Sequence, residues 1–501
     1  MRPSILSPHF PPGKQLVLSW SIPEPFGGMT GALLHRSRAF VRLANRPVDI
    51  LTLDDRLDLP ELVDRLRRAG ELIDGIRILN IWEWLREHDV SMESVAPQHT
   101  HTPLRAGAEV RDRRRGAEVV VRELHDDDGS ILAIDRFRTD GTLLVTDRKD
   151  AQTQKRSVVM YDRHGAPVRS WGSVWGIYRY WLDELTAGGR SFLVVDSKTA
   201  ARFARTYRRP HVVTMHVLHG SHRTADGSAL SRSRRTVLEN LGDFDSAVLL
   251  TRGQRDDVIR DLGPQSNLAV IPNGFDGTPS TGATVPERAS GTGLMLASLI
   301  ARKRVSHAVK AVARARRTVD ATLDVYGEGE RRPLLEKTIR EQGMGEHVRL
   351  RGHDAEARAA FSSADFMLLT SKAEGLPLAL VEGMAAGCIP IAYDIPYGPA
   401  DVISDGRNGF LVPAGDIEAL AQRIVDLQRL PPRAVEAMRR RAVATAGRFH
   451  DRAVVRAWGR EMERAFERKH TAAGPEPMRQ RLRHAAGRAK RRLIRVSGHH
   501  D

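Results

Sequence analysis

The stretch Phe366-Met367-Leu368-Leu369-Thr370-Ser371-Lys372-Ala373-Glu374-Gly375-Leu376-Pro377-Leu378-Ala379-Leu380-Val381-Glu382-Gly383-Met384-Ala385-Ala386-Gly387 decides the fold. Its apolar start predicts a strand over 366–370, Pro377 suits the first helical position, and Gly387 suits the C-terminal cap. A strand running directly into a helix is the unit of a parallel sheet covered on both faces. The alternation continues on either side, predicting strands at 247–251, 268–271, 294–297, 321–326, 389–393 and 410–412. Less regular runs predict further strands at 16–20, 76–80, 192–196 and 212–215. Two Rossmann-like α/β lobes follow, joined through Pro272-Asn273-Gly274 and the Gly, Pro and Thr-rich residues after Asp276.

Length agrees, since 501 residues make room for two or three domains. The expected boundaries are 1–104 and 174–285 for the two parts of the first lobe, 286–448 for the second lobe, and 449–473 for a C-terminal helix. Residues 105–173 read differently. Asp126-Asp127-Asp128-Gly129, Thr139-Asp140-Gly141 and Asp162-Arg163-His164-Gly165 cut β-type runs, predicting an antiparallel meander, because Gly tolerates the positive φ of tight hairpins. The acidic triplet Asp126 to Asp128 can alternatively be read as a metal-binding cluster. A basic tail, 474–501, completes the chain.

The chemistry centres on the turn at residues 374–377. A helix that opens at the carboxyl end of a parallel strand presents free N–H groups, here of Gly375 and Leu376, and its dipole favours a phosphate. Glu374 precedes that helix and Glu382 lies inside it, so two carboxylates can accept hydrogen bonds from a sugar and a ribose. Glu374 is equally readable as a charge complementing the helix start. For Glu382 the surface reading is weakened by its apolar neighbours Leu380, Val381, Met384 and Ala385.

These residues resemble glycosyltransferase family 4, retaining enzymes of the GT-B fold, whose hallmark is two glutamates separated by seven residues in such a turn. Phe26-Gly27-Gly28-Met29-Thr30, Ile271-Pro272-Asn273-Gly274-Phe275-Asp276, Lys303-Arg304-Val305 and Tyr326-Gly327-Glu328-Gly329 match in the family's order. The segments Tyr393-Asp394-Ile395-Pro396-Tyr397-Gly398-Pro399 and Leu250 to Asp257, with the β insertion, are similar to the branch of wall teichoic acid, poly(glycerol-phosphate) and accessory-secretion glycosyltransferases. The resemblance implies that Glu374 contacts the transferred sugar, Glu382 holds the donor ribose, and Lys303 neutralises the departing diphosphate. Gly375, Leu376 and Pro377 would present backbone to the donor, and Gly27 and Gly28 would let the first-lobe loop approach it. The family usually carries Arg five residues before that Lys; here the position is Ser298, leaving Arg302 or Arg304 to supply a second cation. His216 and His219, at the end of the 212–215 run, match the branch's active-site histidine segment, and either ring can bond the donor sugar or the acceptor hydroxyl.

The implied activity is retaining transfer of a hexose from a UDP-sugar, UDP-glucose or UDP-N-acetylglucosamine, to a hydroxyl of a cell-envelope polymer such as poly(glycerol-phosphate) teichoic acid, or of a protein. No metal or other cofactor is expected. The alternative is a non-catalytic GT-B partner of another glycosyltransferase, supported by Ser298. Gly327-Glu328-Gly329 lacks the third glycine of a dinucleotide site, so NAD binding is rejected.

Charge and composition set the surroundings. With 78 Lys and Arg against 62 Asp and Glu the net charge is +16, favouring an anionic partner. Nucleic acid is not expected, because the basic tail lacks interleaved aromatics. Arg479 to Arg495 lie in a stretch whose Leu482, Ala485, Ala489, Leu493 and Val496 share a helical side; a basic amphipathic helix on an anionic membrane and a solvated tail remain equal readings. The lone Cys388 excludes an internal disulfide and no long apolar run is present, so a cytoplasmic protein is expected, peripheral on the inner face of the plasma membrane if the tail binds lipid. A homo-oligomer built through the meander is expected as well, because exposed strand edges pair readily.

Overall fold

The structure is a computed structural model that describes residues 8–88, 109–149, 155–224, 227–277, 288–354 and 357–471. A seven-stranded parallel sheet forms the first lobe, in the order Leu268–Val270, Ser246–Leu249, Val212–Leu218, Ser191–Val195, Lys14–Leu18, Val48–Thr52, Ile76–Asn80. Six parallel strands form the second, ordered Val348–Gly352, Thr322–Tyr326, Thr292–Leu296, Phe366–Leu369, Ile389–Asp394, Phe410–Pro413. The central strands Ser191–Val195 and Phe366–Leu369 are buried throughout, as apolar strands with helices on both faces must be.

Two strands escape the sequence reading for identifiable reasons. Asp49 interrupts the apolar run of Val48–Thr52, and it pairs across the sheet with Arg77 at 2.8 Å. Val348–Gly352 is an edge strand whose Arg349 faces solvent, so its pattern alternates.

The third sheet is the expected meander: six consecutive antiparallel strands from Glu109–Arg115 to Pro167–Trp171. Gly129, Gly141 and Gly165 take φ near +80° at three of its hairpins (+79°, +80° and +81°). Asp128, Asp140 and Asp162 hold those turns, accepting from Ser130 N at 2.8 Å, Thr142 N at 2.9 Å and His164 N at 2.9 Å. The acidic triplet is therefore turn chemistry, and among the described residues no group of His, Cys, Asp or Glu is arranged to hold a metal ion. Leu144, Val145, Val158 and Met160 of the meander share one core with Trp82, Ile177 and Trp181 of the first lobe. Arg136 fixes the contact, stacking 3.7 Å over Trp82 and pairing with Asp55 at 2.7 Å.

The helix Asp451–Thr471 returns from the second lobe to the first. Trp458 packs edge-on to Phe40, Glu461 accepts from Ser246 at 2.7 Å, and Lys469 pairs with Asp245 at 2.9 Å. Gly274 at the interlobe junction has no room for a side chain, since a Cβ would lie 2.3 Å from Asp451 Oδ1. No helix among the described residues is long and apolar enough to cross a membrane. The basic tail, with Arg479 to Arg495, lies outside the described residues.

Candidate active site

Two loops of the second lobe are fastened together beneath the turn that carries Glu374. Thr370 Oγ1, at the end of strand Phe366–Leu369, donates to Lys303 O (2.9 Å) and Arg304 O (3.0 Å), and Lys372 N donates to Arg302 O (2.8 Å). That zipper delivers two cations to one carboxylate: Lys303 Nζ is 2.5 Å from Glu374 Oε1 and the Arg302 guanidinium 3.1 Å from Oε2. Burial pushes the Glu374 carboxyl up, yet the opposing charges of Lys303 and Arg302 outweigh it and hold the group below the usual range. Arg304 does not join them. Its left-handed backbone, φ +47°, closes the turn into helix Val305–Ala315 and its side chain runs toward Gly415, so the second cation is Arg302.

The helix after Glu374 spans Leu378–Ala385. Pro377 therefore precedes it as the N-cap and not as its first residue; its carbonyl accepts from Leu380 N at 3.0 Å. Likewise Ala386 caps the other end, and Gly387 stands one residue beyond at φ +79°, where a left-handed residue lets the chain leave the helix. Glu382 is largely covered and meets Arg358 at 3.1 Å. Burial raises its carboxyl, opposed by Arg358 and by His35.

Gly375 marks where the lobes touch. A Cβ there would lie 2.3 Å from the carbonyl oxygen of His219, so the turn carrying Glu374 rests on first-lobe backbone. Leu376 is buried beside it. Gly27, the N-cap of helix Gly28–Ala44, and Gly28 have no heavy atom within 4 Å of an added Cβ, leaving that flank open.

Of the two histidines, one is core and one is poised. His216 is enclosed, with Nδ1 2.9 Å from Val195 O and its ring stacked on Phe244; burial drives its pKa down to about 4. His219 lies just past strand Val212–Leu218, with Nε2 2.6 Å from Asp196 Oδ1. Asp196 is gripped from behind by Arg36, at 3.0 Å and 2.6 Å. Burial alone would raise the Asp196 carboxyl, but Arg36 and His219 hold it well below the usual range. Asp196 and Arg36 are not apparent as site residues in the sequence, where Asp196 reads as a strand end. Together with Trp20, Met29, Lys198 and Arg234, both histidines line a cavity of about 320 Å³ at the carboxyl ends of the first-lobe strands.

His216 makes stability depend on pH. Its folded pKa is depressed below the ordinary histidine value of 6.5, so the folded protein binds fewer protons; stability is full above pH 6.5 and falls as pH drops toward about 4. Urea unfolding across that window should lose up to ~3 kcal/mol from this group, and a His216→Gln variant should show a flatter profile. An identical slope in the variant would contradict this assignment.

Two Rossmann-like lobes, with an interlobe turn bearing an acid and two cations opposite a first-lobe cavity, give the GT-B fold. The second lobe is a domain of the family described as Glycosyl transferases group 1, which matches residues 290–445. Over 466 residues the chain is 21% identical to the poly(glycerol-phosphate) alpha-glucosyltransferase of Bacillus subtilis, covering 82% of this chain and 69% of the relative. It is 22% identical to the poly(ribitol-phosphate) alpha-N-acetylglucosaminyltransferase of Staphylococcus aureus, covering 80% and 90%. Among solved structures it is similar to TarM (TM-score 0.67, 17% identity, 90% of this chain and 98% of that one). The GtfA/B complex matches comparably (TM-score 0.68, 18% identity, 91% and 100%).

Proposed function

We propose that the protein transfers a hexose, glucose or N-acetylglucosamine, from a UDP-sugar to a hydroxyl of a cell-envelope polymer such as poly(glycerol-phosphate), or of a protein, with retention at the anomeric carbon. The observation that carries this reading is the cluster of Lys303, Arg302 and Glu374 at the interlobe turn. Without a donor the two cations neutralise Glu374. A donor diphosphate competes for them and frees the carboxylate to accept hydrogen bonds from sugar hydroxyls. Glu382, 3.1 Å from Arg358 in the helix that follows, takes the ribose hydroxyls in this reading.

Transfer breaks the bond between the anomeric carbon and the β-phosphate oxygen and forms a bond from that carbon to the acceptor oxygen on the same face. The acceptor proton passes to the departing phosphate. Negative charge on the diphosphate grows along this path, so Lys303 and Arg302 stabilise the transition state more than the bound donor. His219, fixed by Asp196, orients the sugar or the acceptor hydroxyl from the first-lobe cavity. Contact of the lobes at Gly375 excludes water from the labile donor. A non-catalytic partner would have no use for a second cation in the site, and Arg302 on Glu374 supports the enzyme reading despite Ser298.

A screen of UDP-, GDP- and ADP-sugars for nucleotide release, with and without poly(glycerol-phosphate), tests this reading. UDP release that rises with the acceptor is expected; release from none of them would reject it. Cytoplasmic action with the meander building an oligomer and the tail on anionic lipid belongs to the same proposal. Light scattering and salt-dependent vesicle sedimentation of tail-truncated protein check these two parts.

A further inference from the structure

The second-lobe segment that follows strand Ile389–Asp394 touches the first lobe through two side chains that the reaction scheme leaves without a role. Asp401 Oδ1 accepts from Arg252 N at 2.9 Å and Gly253 N at 3.1 Å, so a carboxylate of one lobe caps the helix Arg252–Leu262 of the other. Thr251 caps the same helix from within, donating no charge, and the added carboxylate meets the positive end of the helix dipole. Gly253 is tightly approached: a Cβ would stand 3.3 Å from Asp401 Oδ2 and 3.8 Å from the Tyr397 ring.

Tyr397 makes the second contact. Its hydroxyl donates to Asp257 Oδ2 at 2.9 Å, and its ring lies nearly parallel to His222, with centroids 5.8 Å apart. The receiving surface is itself braced, because Arg223 pairs with Asp261 at 2.7 Å and Asp257 at 3.3 Å, and His222 bonds Asp261 at 3.0 Å. The same segment also reaches the reacting turn. Tyr397 N donates to Glu374 O at 3.3 Å, and Gly398, at φ +102°, packs where a Cβ would strike Pro377 at 2.5 Å. One short segment thus grips the first lobe on one side and the Glu374 to Pro377 turn on the other.

We propose that Tyr397 and Asp401 are positioning residues, an interlobe clasp that seats the Glu374–Gly375 turn against His219 so that donor and acceptor sites meet in register. The proposal rests on the glycosyltransferase reading for its catalytic consequence, while the clasp itself is readable without any substrate. Neither side chain touches the cations that would hold the donor, so the clasp should act on transfer and not on nucleotide binding.

The test uses the full-length chain with Asp401→Ala, Asp401→Asn and Tyr397→Phe, and the Asp401→Ala/Tyr397→Phe double variant. Hydrogen exchange at the Arg252 and Gly253 amides should quicken about tenfold or more in Asp401→Ala and stay near wild type in Asp401→Asn, whose amide oxygen still accepts both bonds. For the double variant, kcat for sugar transfer should fall by about 10²-fold while UDP affinity measured by calorimetry is unchanged, since misplacement of reacting groups by an ångström costs that much. Asp401→Asn should recover most of the rate. Unchanged exchange at both amides overturns the clasp, whatever the enzyme's activity. Wild-type kcat in the double variant, or equal losses of kcat and UDP affinity, overturns the positioning role. If the wild-type chain transfers no sugar, the functional reading fails, and the exchange result alone decides whether the clasp exists.

Discussion

Replacing Lys303 with methionine is expected to lower kcat for sugar transfer by about 10²–10³-fold, the loss typical of removing one preorganised group aimed at developing charge. The ammonium sits 2.5 Å from Glu374, only 17% exposed, and is held there by backbone that Thr370 ties down, so it needs no reorganisation as the diphosphate departs. Because Arg302 remains on the other oxygen of Glu374, the carboxylate is not stranded and the fold should survive. Lys303→Arg should recover part of the rate, with a larger and less well-fitting cation. Glu374→Gln should lose transfer as well, because the amide frees both cations but offers the sugar one acceptor oxygen where there were two. Wild-type turnover by Lys303→Met and Glu374→Gln would remove these residues from the site.

The Arg36→Leu variant is expected to lose about 3–5 kcal/mol of stability, the cost of leaving a buried carboxylate without its counter-charge. The Asp196 side chain is wholly buried and Arg36 makes two of its bonds, leaving His219 as the remaining partner. The His219 ring alone does not replace the two guanidinium bonds, so the buried carboxylate is left short of partners and the cavity is altered. Adding Asp196→Leu to Arg36→Leu should restore most of the stability measured by urea unfolding, because no unpaired charge is then buried. Transfer should remain low in that double variant, since nothing orients His219. A single variant within about 1 kcal/mol of wild type would contradict the ion-pair account.

Much of this site is legible in the linear sequence because its logic is local. The turn from Phe366 to Gly387 carries strand, acid, glycine, proline and helix within one contiguous segment, and Lys303 stands just before the helix Val305–Ala315. What the sequence hides is whatever two distant segments make together. Asp196 and Arg36 stand 160 positions apart, and only the parallel pairing of Lys14–Leu18 with Ser191–Val195 brings their elements together. Arg302 and Arg304 are indistinguishable as residues; the left-handed backbone at Arg304 sends one to Glu374 and the other away. His216 and His219 differ by three positions, yet one side chain is under the sheet's end and the other beyond it. Strand Val48–Thr52 was obscured by the charge of Asp49, which is satisfied by an arginine on the neighbouring strand.

The central claim, retaining hexose transfer from a UDP-sugar at the Lys303 and Glu374 turn, is tested most directly by proton NMR of a running reaction. UDP-glucose or UDP-N-acetylglucosamine is mixed with a poly(glycerol-phosphate) acceptor and the anomeric signals are followed from the first minutes. The account predicts an α-linked product as the first species formed, with one UDP released per sugar transferred and product from the Lys303→Met protein slowed by about 10²-fold or more. A β-linked first product, or equal product from that variant, would contradict it.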